Sequence, residues 1–235
     1  YTFAEHYTPY ISYTDIFSPQ TERNVNGDPL DPIVGKSYEL GIKAGLLEQR
    51  LIASAALFRI KQDKLAVVDP GQVINGTTDQ AYRESEGATS EGYELELTGA
   101  VSDDWDIQLG WTAYEVEDAD GNKINTEQPR RILKTFTSYQ FPGALSKLTV
   151  GGGVNWESEN YGEANNPVSG QPERVEQGQL TLVNLMASYQ FTDALKGQLN
   201  VDNLTDETYY TNIGTFGQVA YGTPRTLSLS AEYKF

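Results

Sequence analysis

The sequence predicts an all-β protein: a transmembrane antiparallel β-barrel, of which about ten strands are present in the 235 residues. Three observations carry that prediction. Apolar and polar residues alternate from one end of the chain to the other, the period-2 signature of strands with two unlike faces. The connections alternate between tight turns and long polar stretches, as they do when one side of a barrel faces the periplasm and the other the exterior. Several strands run past ten residues, longer than the usual ~5–6 of soluble sheets and enough for the roughly 9–11 tilted residues that cross a bilayer.

The elements follow in order. Phe3–Phe17 is strand-like with imperfect alternation. Lys36–Leu47 places Tyr38, Leu40, Ile42, Ala44 and Leu46 on one face, with Glu39, Gly41, Lys43 and Gly45 on the other. Leu51–Val67 is strand-like but less clean. Gly87–Val101 sets Tyr93, Leu95, Leu97 and Val101 against Glu94, Glu96 and Thr98. Trp105–Val116 sets Trp105, Ile107, Leu109, Trp111 and Ala113 against Asp106, Gln108, Gly110 and Thr112. Gln128–Phe141 is again irregular. Then come Leu148, Val150, Val154 and Trp156, next Val183, Leu185, Ala187, Tyr189 and Phe191, and next Leu195, Leu199 and Val201. The closing "RTLSLSAEYKF" alternates Leu227, Leu229, Ala231, Tyr233 and Phe235 with Thr226, Ser228, Ser230, Glu232 and Lys234.

Between these strands, "LLEQR", "VSDDW", "FPGALS" and "FTDAL" read as tight turns. Ser18–Val34, Asp69–Glu86, Glu117–Glu127, Tyr161–Glu176 and Thr205–Gly222 read as long loops. A β-sandwich has no reason to keep this long–short order. Aromatic residues gather toward strand ends, as an interfacial girdle requires: Trp105, Phe141, Tyr189, Phe191, Tyr233 and Phe235 near the turns, Phe17, Trp156 and Tyr161 near the loops. Glu39, Glu94, Glu96, Asp106, Asp202 and Glu232, with Lys43, Lys196 and Lys234, then face a wet or plugged lumen. In a dry core the same row would carry a heavy desolvation cost.

Composition removes whole classes of function. Mean hydropathy is −0.49, and no run approaches the roughly 18 apolar residues of a spanning helix. Cysteine is absent, which excludes disulfides, Cys-ligated zinc, iron–sulfur clusters and a thiol nucleophile. A formal net charge of −16 offers no basic stripe, so no nucleic-acid partner is expected. "YTFAEHYTPY" has neither the basic nor the apolar region of a signal peptide. A surface protein opening this way is expected to be processed or incomplete.

"VDNLTDETYY" (Val201–Tyr210) followed by "YGTPRTLSLSAEYKF" resembles the C-terminal pattern of TonB-dependent outer-membrane receptors. "GKSYELGIKAGLLEQRLIASAALFRIKQDKLAV" (Gly35–Val67) resembles a hairpin of the same family. "YTDIFSPQ", "EGYELELTGAVSDDW" and "LTVGGGVNWES" are similar to its ferric-siderophore branch, and closest to receptors for hydroxamate chelates such as ferric coprogen. The resemblance implies a Gram-negative outer-membrane transporter that imports a ferric siderophore and is not an enzyme. It implies the last ten or so strands of a 22-stranded barrel, with the N-terminal plug and the energy-coupling box for the TonB–ExbB–ExbD complex lying outside residues 1–235. "HYTPYISYTDIF" resembles two family strands joined directly, so residues are expected to be missing between Tyr10 and Ile11.

A ferric siderophore needs a concave site with aromatic walls and a few orienting polar groups. In this chain the candidates are Tyr161, Tyr209, Tyr210, Phe216 and Tyr221, with Tyr82, Arg83, Arg130 and Arg174 as polar partners. The siderophore itself would chelate the iron, so neither a protein metal site nor a cofactor is expected. By resemblance, Tyr233 and Phe235 form the signal read by the barrel-assembly machinery. Outer-membrane lipid and lipopolysaccharide are the expected surroundings, and phage or bacteriocin use of the loops stays open. Two rivals fit the same pattern: a passive porin, and an omptin-like surface protease, for which His6 is the single available base. "DADGNKIN" (Asp118–Asn125) brushes against a calcium loop, but Lys123 stands where that loop needs Gly, so it reads as a polar hairpin. The "GGG" at Gly151–Gly153 lacks a following helix and reads as close backbone approach or curvature within a strand.

Overall fold

The computed structural model describes residues 6–85, 87–165, 170–213 and 219–235. Sixteen strands fall among them: β1 Tyr7–Ser18, β2 Ile33–Leu46, β3 Leu51–Asp63, β4 Ala66–Val73, β5 Gln80–Glu84, β6 Ala88–Ser102, β7 Trp105–Asp118, β8 Arg131–Gln140, β9 Leu148–Glu157, β10 Asn160–Asn165, β11 Pro172–Gln177, β12 Leu180–Gln190, β13 Leu195–Asp202, β14 Tyr210–Ile213, β15 Val219–Tyr221 and β16 Thr226–Tyr233. Ten of them form one antiparallel sheet in the order β1-β2-β3-β6-β7-β8-β9-β12-β13-β16. The other six form three hairpins, β4–β5, β10–β11 and β14–β15. Each hairpin rises from a connection that the sequence marks as a long loop.

Two strand bounds need correction. The run Leu51–Val67 breaks into β3 and β4 at Lys64, whose backbone turns left-handed at φ 64°. That turn is held because the Lys64 ammonium binds Asp31 and its carbonyl accepts the Gln20 amide at 2.8 Å. The strand expected from Gln128 begins at Arg131 instead. Pro129 has no N–H for a ladder, and the Arg130 N–H goes to the Ser158 hydroxyl at 3.1 Å. In β1, Tyr10 and Ile11 pair with Gly41 and Leu40. The alternation keeps its phase through them.

The register sorts the ten-stranded sheet into two faces. One row reads Pro9, Ile42, Ala55, Leu95, Trp111, Leu133 and Trp156 across the strands from β1 to β9. The opposite face carries Tyr10, Glu39, Lys43, Glu94, Glu96, Lys134, Asn155, Asn184 and Asn200, and the Tyr10 hydroxyl donates to Glu39. Large apolar side chains stand bare on the first face, with Leu57 at 60% and Leu229 at 82% exposure. A water-facing patch of this extent is not viable for a soluble protein, whereas in a bilayer it is the contact surface.

Aromatic pairs border that apolar face. Toward the short turns, Tyr139 meets Phe141, Tyr189 meets Phe191 and Tyr233 meets Phe235, with ring centroids 5.1–5.3 Å apart. Toward the loops, Trp111 stacks on Trp156 at 5.9 Å and Tyr13 leans on Tyr38 at 5.3 Å. Beyond these rings the same face turns charged, and Arg59 meets Glu91 at 2.7 Å. Along β7, Trp105 to Trp111 spans six steps of ~3.4 Å, about 20 Å of apolar strand between the two belts.

Inside the wall, a Cβ on Gly153 would lie 2.2 Å from the Thr135 carbonyl oxygen, and one on Gly151 2.8 Å from that of Thr137. The glycines let β8 and β9 approach closely.

The "NLTD…PR" motif is a clamp. Asn203 sits left-handed at φ 51°, a conformation that asparagine tolerates better than most residues. Its amide nitrogen donates to the carbonyls of Glu207 at 2.9 Å and Thr223 at 3.2 Å, while its amide oxygen accepts the Glu207 N–H at 2.9 Å. Asp206 then accepts the Arg225 N–H at 2.9 Å, and the Arg225 guanidinium reaches the Leu204 carbonyl at 3.3 Å. The motif ties the end of β13 to the start of β16.

Candidate ligand-binding mouth

The long connections meet at the loop end of the sheet. Hairpin β4–β5 leans on the 18–34 loop, where the Tyr82 N–H donates to the Arg23 carbonyl at 2.9 Å and the Asn75 N–H to that of Val25 at 2.8 Å. The Glu84 carboxylate accepts the Asp31 N–H at 3.1 Å. On the other side, the Tyr161 N–H bonds to the Thr126 carbonyl at 2.9 Å, joining β10 to the loop after β7. The Tyr210 N–H bonds to the Gln177 side chain at 2.8 Å, joining β14 to β11. A Cβ at Gly162 would strike Ile213, so these two hairpins touch.

Between the two groups lies a cavity of about 820 Å³, within the ~300–1,000 Å³ range of ligand pockets. Its floor is the non-apolar face of the wall at Ile60, Gln62, Ser90 and Val116, its flanks Val67, Arg83 and Ser85 on one side and Asp118, Asp120 and Ile124 on the other. The Ser85 hydroxyl is buried there and finds no hydrogen-bond partner among the described residues. The Asp118 carboxylate accepts the Asn122 side-chain and backbone N–H groups and the Asp120 N–H. These bonds, the Asn122 side chain foremost, hold its pKa below the ordinary Asp value. The predicted polar hairpin at Asp118–Asn125 therefore forms, closed by a bridge between Glu117 and Lys123.

Eight of the nine candidate residues are described, and they are dispersed around this mouth. Arg83 lines the cavity, and Tyr82, its neighbour in β5, points its side chain the other way by strand alternation. Arg130 is half-buried, binds the Ile124 carbonyl and lies 5.2 Å from the Tyr114 ring centroid. Arg174 stacks at 3.3 Å over Tyr161 and pairs with Glu176 at 2.8 Å. Tyr210 and Tyr221 face each other at 5.1 Å across β14–β15, and their hydrogen bond raises the Tyr210 pKa. The Tyr209 ring occupies the space beside Gly222. Phe216 lies outside the described residues. Ser85, Asp118 and Asp120 complete the cavity and were not among the candidates; only "DADGNKIN" carried a signal for two of them.

A sheet apolar on one side and polar on the other, belted by aromatic rings and carrying a loop-lined cavity at one end, defines the wall of an outer-membrane β-barrel. Residues 1–204 match the family model described as TonB dependent receptor-like, beta-barrel, and the chain belongs to that family. It is 39% identical over 240 residues to the ferripyoverdine receptor of Pseudomonas aeruginosa, covering 100% of this chain and 29% of that protein. To the ferrioxamine B receptor of Salmonella typhimurium it is 28% identical, covering 100% of this chain and 33% of that protein. The solved complex of FpvAI with pyocin S2 superposes with a TM-score of 0.93 at 39% identity, over 100% of this chain and 32% of that one. The chain thus spans about a third of the length of the relatives it matches, and it forms part of the wall of a TonB dependent receptor-like β-barrel of the Gram-negative outer membrane. These relatives bear receptor names, not enzyme names. The expected nearness to coprogen-type hydroxamate receptors is not what the similarity singles out, because the ferripyoverdine receptor stands ahead of the ferrioxamine B receptor.

Proposed function

We propose that the protein imports a ferric siderophore across the outer membrane, taking it up at the mouth formed by these loops. The observation that carries this reading is the 39% identity to the ferripyoverdine receptor along the whole chain, loops included. Ferripyoverdine-type chelates are the first substrate class; hydroxamates such as ferrioxamine B or ferric coprogen are the second, supported by the ferrioxamine B receptor's similarity. The iron stays in its chelator, so the mouth supplies aromatic faces and charges, not metal ligands. Arg83 on the cavity wall and the Tyr161–Arg174 and Tyr210–Tyr221 pairs are the contacts this chain would offer. Transport would be driven by a TonB–ExbB–ExbD complex acting on a plug outside residues 1–235. Tyr233 and Phe235 would serve the barrel-assembly machinery. The pyocin S2 complex of the FpvAI relative makes a bacteriocin, and by extension a phage, a candidate second user of the loops.

The test is uptake of ⁵⁵Fe by cells with and without the gene, over a panel of ferripyoverdines, ferrioxamine B and ferric coprogen. Loss of uptake for one class supports the reading and names the substrate. Equal uptake of every chelate by both strains would overturn it.

A further inference from the structure

Three places in the chain put an Asn or Asp directly before a glycine: Asn26-Gly27, Asn75-Gly76 and Asp120-Gly121. Such a pair is chemically unstable when the glycine nitrogen can attack the side-chain carbonyl carbon ahead of it. Glycine has no Cβ to obstruct that approach, so the state of its N–H decides the outcome. In two of the three the N–H is occupied. Gly27 donates to the Asn24 carbonyl at 2.9 Å, and Gly121 donates to the Asp118 carbonyl at 3.2 Å.

Gly76 differs. It sits at φ 79° in the turn that reverses β4 into β5, a conformation that glycine adopts without steric cost. The turn is closed by the Thr77 N–H, which donates to the Ile74 carbonyl at 2.9 Å. The Thr77 hydroxyl donates to the same oxygen at 2.9 Å. The Gly76 N–H stands outside these bonds and has no acceptor among the described residues. Asn75 and Gly76 are both exposed, so water and solvent base reach them.

We propose that Asn75 is a modification site, converted without an enzyme through a cyclic imide to aspartate and isoaspartate, and that the change releases the tip of β4–β5 from the 18–34 loop. The Gly76 nitrogen gives its proton to solvent base and bonds to the Asn75 Cγ. The Cγ–Nδ2 bond breaks, and ammonia leaves with a proton taken back from solvent. Water then opens the imide at either of its carbonyls. One opening leaves aspartate; the other leaves isoaspartate, with the main chain running through the former side chain. One water is consumed and one ammonia lost, and nothing is oxidised or reduced.

The position of Asn75 makes this change felt. Its N–H donates to the Val25 carbonyl at 2.8 Å, and its side-chain amide donates to the Asn26 Oδ1 at 3.4 Å. Either product lacks the amide donor and sets a carboxylate against the Asn26 oxygen. Isoaspartate also lengthens the backbone between the bonds to Val25 and Ile74, so the two no longer keep register. The inference rests on this loop contact and not on which chelate is carried.

The test uses the full receptor in detergent, aged at mildly alkaline pH in ¹⁸O water and then digested with trypsin in ordinary water. Cleavage after Arg23, Lys36, Lys64 and Arg83 puts the two Asn-Gly pairs on separate peptides, 24–36 and 65–83. The heavy-oxygen label marks conversion that took place in the folded receptor. The bond on Gly27 must open before its nitrogen attacks, so Asn75 is expected to convert roughly tenfold faster than Asn26. In receptor unfolded by urea the two rates should meet. Equal rates in the folded receptor, or a gap that persists in urea, overturn the modification site. Hydrogen exchange reads the release. After correction for intrinsic rates, the residue 75 amide should exchange roughly tenfold faster in aged receptor. Asn75→Gln, whose longer side chain closes an imide far more slowly, should age without that rise. Unchanged exchange in converted receptor overturns the release.

Discussion

Replacing Asn203 by alanine should open the clamp between β13 and β16. Three side-chain hydrogen bonds disappear, to the Glu207 carbonyl, the Glu207 N–H and the Thr223 carbonyl. The side chain is 4% exposed, so water does not replace it freely. At ~1 kcal/mol for each bond, the loss is about 3 kcal/mol. Alanine must also keep the left-handed backbone of φ 51°, which adds ~1 kcal/mol. The Glu207 amide should then exchange with solvent deuterium about 10²–10³-fold faster, because each ~1.4 kcal/mol is tenfold in the opening equilibrium. Hydrogen exchange on the full receptor in detergent reads this directly. Asn203→Gly removes the bonds but not the backbone tolerance, so it should fall short of the alanine effect by about fivefold. Unchanged protection of Glu207 in Asn203→Ala would refute the clamp, and identical effects of alanine and glycine would refute the backbone part of the argument.

Two further outcomes follow from the wall and the mouth. Gly153→Ala drives a methyl to 2.2 Å from the Thr135 carbonyl and should destabilise the β8–β9 pairing by about 1–3 kcal/mol in urea unfolding. Gly110→Ala, whose Cβ meets nothing within 4 Å, should be neutral or slightly stabilising; equal losses in both would contradict the close-approach reading. The depressed pKa of Asp118 gives its turn a contribution present above the ordinary carboxylate range and lost as pH falls through the lower, folded value. Amide exchange at Asp120 and Asn122 should therefore hold from neutral pH down to about 4 and rise only below it, after correction for intrinsic rates, whereas Asp118→Asn should remove the acid transition.

The ten strands of the wall were legible because each has to satisfy lipid on one side and water on the other, and period two is the only pattern that does so. Strands such as Lys36–Leu47 and Trp105–Val116 announce themselves residue by residue. The loop hairpins were not legible for the converse reason. β10 reads "NYGEAN" and β14 "YTNI", runs too short and too polar for an alternation to show, although Ile213 is buried. The cavity was hidden further, since it gathers Ile60, Arg83 with Ser85, and Asp118 from three separated stretches of sequence. Tyr161 and Arg174 were picked for what they could offer a ligand, and in the structure each is the other's partner. A stacked pair presents its outer edge only, or must come apart to present more.

The bonds among the loops group them into two bodies. One joins the 18–34 loop to β4–β5, and the other joins the loop after β7 to β10–β11 and β14–β15. Closing five independent loops on a guest would forfeit the freedom of every one, at a large entropic cost. Two prefabricated jaws forfeit the relative motion of a single joint, with the cavity at its line of contact. Residues that never meet the guest, such as Glu84 and Gln177, would then set how firmly each group holds its shape.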